Sequence, residues 1–343
     1  MVNPLKTAER RAKSVGAQVA RAYRRTGADV PFGNPLPSHG CAMEGWFWRV
    51  TDAAAGRVIV ALFSVNRHPD GDWSTAAVAL HPGDVVRAKA LDNPRVGQSP
   101  FILAAGTNAK ASFAASFDSL RLNLDDVHLD LSFTDSYDWP KAFAGGGIWS
   151  SVPFLNQYWH PYRLGGTATG TVEHPSGTWP LDDSKLYTER NWGTGFPDRW
   201  WWGQAHDFGD DDVSVAFLGG LLTLGPIQRD VGGVVVRLDG HVIRLTPPTA
   251  WVTSELTERR WSVNATSLRY QVELHGDGSD LDPHVLPVPL PGERRKVGTD
   301  FEHLAGRLHC VVRQFGLVIF DGRSDLAGLE VGSLPGFQRP DHL

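Results

Sequence analysis

The pattern Trp46-Phe47-Trp48 followed by Ile59-Val60-Ala61-Leu62-Phe63 recurs as Trp200-Trp201-Trp202 followed by Val213-Ser214-Val215-Ala216-Phe217, without a gap and 154 residues on. Self-similarity at a fixed offset signals a duplicated unit before any fold is assumed. Each copy reads as an aromatic strand, a polar turn and an apolar strand. Side chains alternate across a strand, so Trp46 and Trp48 oppose Phe47 just as Trp200 and Trp202 oppose Trp201. The repeat predicts two β units in which residues 46–63 superpose on residues 200–217. A chain of 343 residues has room for both. Sheets of this length must close or pack on one another to protect their edges, which favours two barrels or curved sandwiches side by side.

Local texture agrees with an all-β body. Beyond Pro31, short alternating runs separated by Gly, Pro, Asn and Asp replace any helical period. Val127, Leu129, Leu131 and Phe133 alternate with His128, Asp130 and Ser132. Residues 234–245 read as two strands joined at Asp239-Gly240, a favoured hairpin turn. Residues 5–26, rich in Ala, Arg and Lys, instead predict one short basic helix stopped by Gly27. Lys6, Arg10, Arg11, Lys13, Arg21, Arg24 and Arg25 there face only Glu9 and Asp29, so the remaining chain is acidic within a net charge of −5. An acidic body argues against nucleic acid as a partner. The basic helix could touch an anionic membrane surface. Neither arginine pair precedes an apolar signal-peptide core, and Gly and Pro interrupt the longest apolar stretch, so the chain is read as cytoplasmic and without a transmembrane segment. Cys41 and Cys310 alone can build neither a disulfide framework nor a cysteine zinc site.

Eight of thirteen tryptophans lie between residues 139 and 202. Large aromatic side chains pack β interiors in any case, but polar and acidic residues are embedded among these: Glu44, Asp182, Asp183, Tyr187, Glu189, Asn191 and Gln204, with His160, His174 and His206 nearby. A carboxyl in a dry aromatic pocket is pushed toward its protonated form and becomes a proton donor. Aromatic faces around it stabilise a developing cation. Acid plus aromatic walls therefore suits carbocation chemistry, although strand-end ion pairs use the same residues. No HExxH, G-x-S-x-G, P-loop or dinucleotide fingerprint is present, so metal, nucleotide and nucleophilic-hydrolase readings lack support.

The stretch YTERNWGTGFPDRWWWGQ, residues 187–204, resembles the signature of the tocopherol cyclases, and EGWFWRV, residues 44–50, is similar to their N-terminal motif. Residues 159–173 with Gly165-Gly166, the pair Gly219-Gly220 and the closing LAGLEVGSLPG extend the resemblance over about residues 39–336. More distantly, Tyr-x-acid-x-Asn-Trp-Gly resembles the carotenoid hydratases, which carry an aspartate at the position of Glu189. The resemblance implies two lipocalin-like domains. It further implies protonation of a trisubstituted isoprenoid double bond and capture of the cation by a phenol oxygen, or by water in the hydratases, with neither cofactor nor metal. Tyr158 departs from the pattern, standing where a histidine is expected before Trp159. No plastid transit segment precedes Pro31, and the abundance of Arg, Ala and Gly reads as bacterial.

The expectation is an all-β protein with a helical extension over residues 1–30, a first lipocalin-like domain over 31–185 and a second over 186–343. Glu189, Asp183, Glu44 and Tyr187 are the candidate catalytic residues, with Glu189 the favoured acid. Trp46, Trp48, Trp159, Asn191, Trp192, Trp200, Trp202, Gln204 and His206 are candidates for binding a hydrophobic prenylated phenol or polyene. One elongated cavity is expected to gather Glu44, Trp48, Tyr187, Glu189, Asn191, Trp192, Trp202 and Gln204. A lipocalin-like carrier would use the same aromatic cavity without an acid, and a glycan-binding β protein would also use tryptophan platforms and carboxylates.

Overall fold

The computed structural model describes residues 4–29, 39–108, 111–134, 139, 143–209, 212–278 and 280–336. Twelve strands make the first sheet: β1 (Met43–Asp52), β2 (Arg57–Asn66), β3 (Trp73–His81), β4 (Val85–Asp92), β5 (Arg95–Gln98), β6 (Phe101–Asn108), β7 (Ala111–Ala115), β8 (Ser119–Leu124), β9 (Val127–Thr134), β10 (Gln157–Arg163), β11 (Thr167–His174) and β12 (Gly177–Gly193). Ten make the second: β13 (Arg199–Ala205), β14 (Val213–Leu224), β15 (Ile227–Leu238), β16 (His241–Leu245), β17 (Trp251–Leu256), β18 (Arg260–Thr266), β19 (Tyr270–Asp277), β20 (His284–Leu290), β21 (Arg295–Gln314) and β22 (Leu317–Ser333). All pairings are antiparallel. The first sheet runs β4-β3-β2-β1-β12-β11-β9 onward, and the second runs β16-β15-β14-β13-β22-β21-β19 onward, so each curled, lipocalin-like sheet is traced in the same order.

The alternation seen in sequence sets the inner faces. In β9, Val127, Leu129, Leu131 and Phe133 are buried while Asp130, Ser132 and Thr134 are exposed. They join Trp46, Trp48, Phe63 and Phe113 inside the first sheet. Trp201, Val215, Phe217 and Trp261 fill the second. At the Asp239-Gly240 turn both residues take positive φ, 48° and 75°, as the favoured two-residue hairpin requires.

β1, β2 and β3 are buried on both faces because their outer surfaces meet the second sheet. Phe47, Val58, Val60, Trp159 and Tyr187 pack there against Trp202, Ala216, Val235, Leu286 and Leu304. Removing such side chains from water stabilises by about 1.5–3 kcal/mol each.

The repeat is real in topology but shifted in register. Trp46 pairs with Phe63, whereas Trp200 pairs with Gly220 and Phe217 with Gly203. Trp46 and Trp48 point into the first sheet, but in the second it is Trp201 that points inward, while Trp202 faces the junction. The indole that faces inward in the second copy is therefore Trp201, on the opposite side of its strand from the ungapped alignment's Trp200 and Trp202. A slip of one residue exchanges the two faces of a strand, so residues 46–63 do not superpose on residues 200–217. The division expected at 185/186 falls within β12, which the first sheet keeps through Gly193. The expected start of the first domain at residue 31 lies outside the described residues.

The expected helix is α1 (Pro4–Arg24). Gly27 follows it with φ of 90°, and a Cβ there would stand 2.7 Å from the Tyr158 ring, so both conformation and space demand glycine. Among the described residues, no helix is long and apolar enough to cross a membrane.

Candidate active site

The long strands β12 and β22 occupy corresponding places in the two sheets and bring acids to the junction. Glu189 lies opposite Phe47 on β1, and Glu330 lies opposite Trp202 on β13. Between the sheets opens a mostly apolar cleft of about 180 Å³ whose walls include Trp46, Trp159, Trp200, Trp202, Glu189 and Asn191.

Glu189 is 6% exposed. Its Oε2 accepts hydrogen bonds from the Tyr187 hydroxyl at 2.5 Å, Trp159 Nε1 at 2.7 Å and Trp202 Nε1 at 2.9 Å. Tyr187 shares the outer face of β12 with Glu189, β10 delivers Trp159 and β13 delivers Trp202. Burial raises the carboxyl's pKa, and the three donors hold it down only in part. The Tyr187 hydroxyl is pushed well up, first by burial and then by the neighbouring glutamate, so it donates rather than ionises. All three donors converge on Oε2, which leaves Oε1 to the cleft. The arrangement is a buried carboxyl, its pKa raised by desolvation, held at one oxygen by three donors beside an indole-lined space.

A second acidic group, Asp300 and Glu330, lines the same cleft, and Trp200 Nε1 donates to Glu330 Oε1. Trp200 can lie flat there because both its cross-strand neighbours are glycines. A Cβ on Gly332 would stand 2.0 Å from its ring. Burial raises Glu330 to about 7 and, with Glu330 and Glu302 beside it, lifts Asp300 well above the usual range. Deeper in the junction, burial takes Glu302 to about 8 even with Arg49 3.6 Å away. Arg49 crosses from the first sheet to donate to the carbonyls of Leu304 and Leu326 at 2.6 and 2.7 Å. Among the described residues, no group of three or more His, Cys, Asp or Glu is placed to hold a metal ion.

The remaining candidates separate from the cleft for identifiable reasons. Asp183 is exposed at a φ of 52° where β12 bends past β11, away from the cleft. Glu44 is buried on the inward-facing side of the neighbouring layer, where its Oε1 accepts from the His39 amide at 2.7 Å and Arg190 at 3.3 Å. It pairs with Arg190 instead of facing the cleft. Trp192 stacks on His39 and Tyr158 and donates to the Gly27 carbonyl at 2.7 Å, tying the segment after α1 to the sheet. Trp48 belongs to the interior of the first sheet. Gln204 and His206 are buried at the junction beyond the cleft, and His206 meets Thr51 Oγ1 at 2.8 Å. Asp300 and Glu330 went unmarked in the sequence. Their only local signal is a lone carboxylate inside an apolar run, Leu329-Glu330-Val331, and an Asp300-Phe301-Glu302 alternation.

Two curled antiparallel sheets joined around an acid-bearing aromatic cleft define a two-domain lipocalin-like protein. The chain belongs to the tocopherol cyclase-like family, whose pattern matches residues 118–333. It is 24% identical over 230 residues to a probable chloroplastic tocopherol cyclase of Oryza sativa subsp. japonica and 23% identical over 228 residues to the chloroplastic tocopherol cyclase of Zea mays. Each match covers 63% of this chain and 48% of the relative, so the chain aligns with about half the length of those plant proteins. Among solved structures it is similar in fold to CghA bound to Sch210972, with a TM-score of 0.58, 13% identity and coverage of 90% of this chain and 94% of the other. Kievitone hydratase from Nectria haematococca matches with a TM-score of 0.52 at 12% identity, over 85% and 89% of the two chains.

Proposed function

We propose that the protein is a cofactor-independent isoprenoid cyclase in which Glu189 protonates a prenyl or polyene double bond and a hydroxyl group captures the resulting cation. The observation that carries this reading is the Glu189 carboxyl itself: buried, desolvated and clamped at Oε2 by three neutral donors in an indole-lined cleft. Tyr187, Trp159 and Trp202 position the acid. Trp159, Trp200 and Trp202 supply faces against which a tertiary cation is stabilised, by about 0.5–2 kcal/mol per face depending on desolvation. The dry cleft excludes bulk water that would otherwise quench the cation. Membership of the tocopherol cyclase-like family supports a prenylated phenol as the substrate class. The basic helix α1, which exposes Val15 and Val19, suits contact with an anionic lipid surface from which such a substrate is drawn.

The test is Glu189→Gln assayed with a prenylated methylhydroquinone. Glutamine keeps the volume and an acceptor oxygen but is no acid. Turnover should fall by about 100-fold or more, with the loss in kcat and little change in KM. Full activity would remove Glu189 from the acid role. Binding of the hydroquinone by the unaltered protein with no product would favour a carrier, and a tertiary alcohol as product would favour a hydratase.

A further inference from the structure

Asp300 on β21 and Glu330 on β22 are diagonal neighbours on one face of the sheet, close enough for each carboxyl to shift the other. Two buried carboxyls this close disfavour a second negative charge, so the pair favours sharing one proton. The register explains why they meet: Asp300 lies opposite Gly332, which has no side chain to separate Asp300 from Glu330 two residues away. Asp300 and Glu330 are 6% and 9% exposed, and both line the cleft that also holds Glu189. Trp200 Nε1 occupies Glu330 Oε1. Asp300 Oδ1, by contrast, is buried and has no hydrogen-bond partner among the described residues. A buried, unsatisfied carboxyl oxygen on the wall of a cleft is an acceptor awaiting a donor, and a substrate hydroxyl is the donor that the proposed reaction brings.

We propose that Asp300 and Glu330 are the proton-accepting pair of the same reaction, oriented by Trp200, and that they receive the proton of the attacking hydroxyl as the carbon–oxygen bond closes. This rests on the reading of Glu189 as the acid. One proton leaves the Glu189 carboxyl for the alkene carbon, whose π electrons form the new C–H bond and leave a tertiary cation. The hydroxyl oxygen supplies the electron pair for the C–O bond, and its proton passes to the pair, which then carries two protons and no charge. Return of one proton to Glu189 restores both groups. The substrate is isomerised with no net gain or loss of electrons or atoms. The pair's negative charge also faces the cation during its lifetime, which favours forming the cation where the hydroxyl can reach it.

Glu330→Gln and Asp300→Asn preserve shape, and circular dichroism together with a thermal melt verifies that each folds. Each is incubated with a prenylated methylhydroquinone in D₂O beside the unaltered protein and Glu189→Gln. The unaltered protein should yield ring-closed product carrying one deuteron. In Glu330→Gln, closure should fall by about 100-fold, while deuterium still enters the alkene, because a cation formed without a proton acceptor for the hydroxyl reverts by losing a neighbouring proton. Asp300→Asn should show the same uncoupling. Glu189→Gln should show neither closure nor deuterium uptake. Closure at the unaltered rate in both Glu330→Gln and Asp300→Asn overturns the proposal. So does a proportional loss of closure and deuterium uptake, which marks a merely structural pair. If the unaltered protein neither closes nor deuterates the probe, the cyclase reading fails and this proposal with it.

Discussion

Replacing Tyr187 with phenylalanine removes one oxygen atom from the site and leaves the ring packed where it is. That oxygen donates at 2.5 Å to Glu189 Oε2, the same atom that Trp159 and Trp202 hold. A hydrogen bond to a charged group is worth about 1.5–3 kcal/mol. The bond favours the carboxylate over the acid, so its loss should raise the Glu189 pKa by roughly 1–2 units at 1.36 kcal/mol per unit. If Glu189 is the acid, as proposed, it acts in its protonated form, so activity should fall as pH rises through its pKa. In Tyr187→Phe this falling limb should move to higher pH by about the same 1–2 units. The plateau below it should drop only modestly, since the acid is weaker but still present. The assay is the pH dependence of kcat/KM for a prenylated hydroquinone. A limb that stays in place or moves to lower pH would refute Glu189 as the titrating acid. Loss of activity at every pH would instead make Tyr187 the proton donor.

Asp183→Asn should leave kcat and KM within about twofold of the unaltered values, because Asp183 is exposed and asparagine tolerates its positive φ. A large loss in steady-state kinetics would return it to the site. Arg49→Met should destabilise the fold by about 2–6 kcal/mol in urea denaturation, since it leaves two carbonyls of the second sheet without their buried donor. Glu302 is raised by burial from an ordinary 4.5 to about 8, so its contribution to stability is complete below 4.5 and is lost as pH climbs toward 8. Urea midpoints should accordingly fall between pH 5 and 8.5, and Glu302→Gln should flatten that decline. An equal decline in the variant would assign it to other groups.

Much of the fold was legible in the chain because a strand writes its own pattern. Val127 to Phe133 alternates since one face of β9 is buried, and Asp239-Gly240 marks a turn because two successive positive φ angles suit those residues. Glu189 also stood out, since it sits between Tyr187 and Asn191 in an aromatic stretch on one strand. Local sequence could not say which way that stretch faced. Periodicity fixes that Trp200 and Trp202 share a side, but a one-residue slip between the two copies decides whether the side is the interior of a sheet or the junction. The same limit separated the carboxyls. Glu44, Asp183, Glu189 and Glu330 are chemically alike in the chain, and each acquires its role from a neighbour that only tertiary pairing supplies. For Glu44 that neighbour is Arg190, for Asp183 solvent, for Glu189 two indoles from β10 and β13, and for Glu330 an aspartate across Gly332. Burial and partners set a proton's affinity, and both are properties of the packed junction rather than of any one strand.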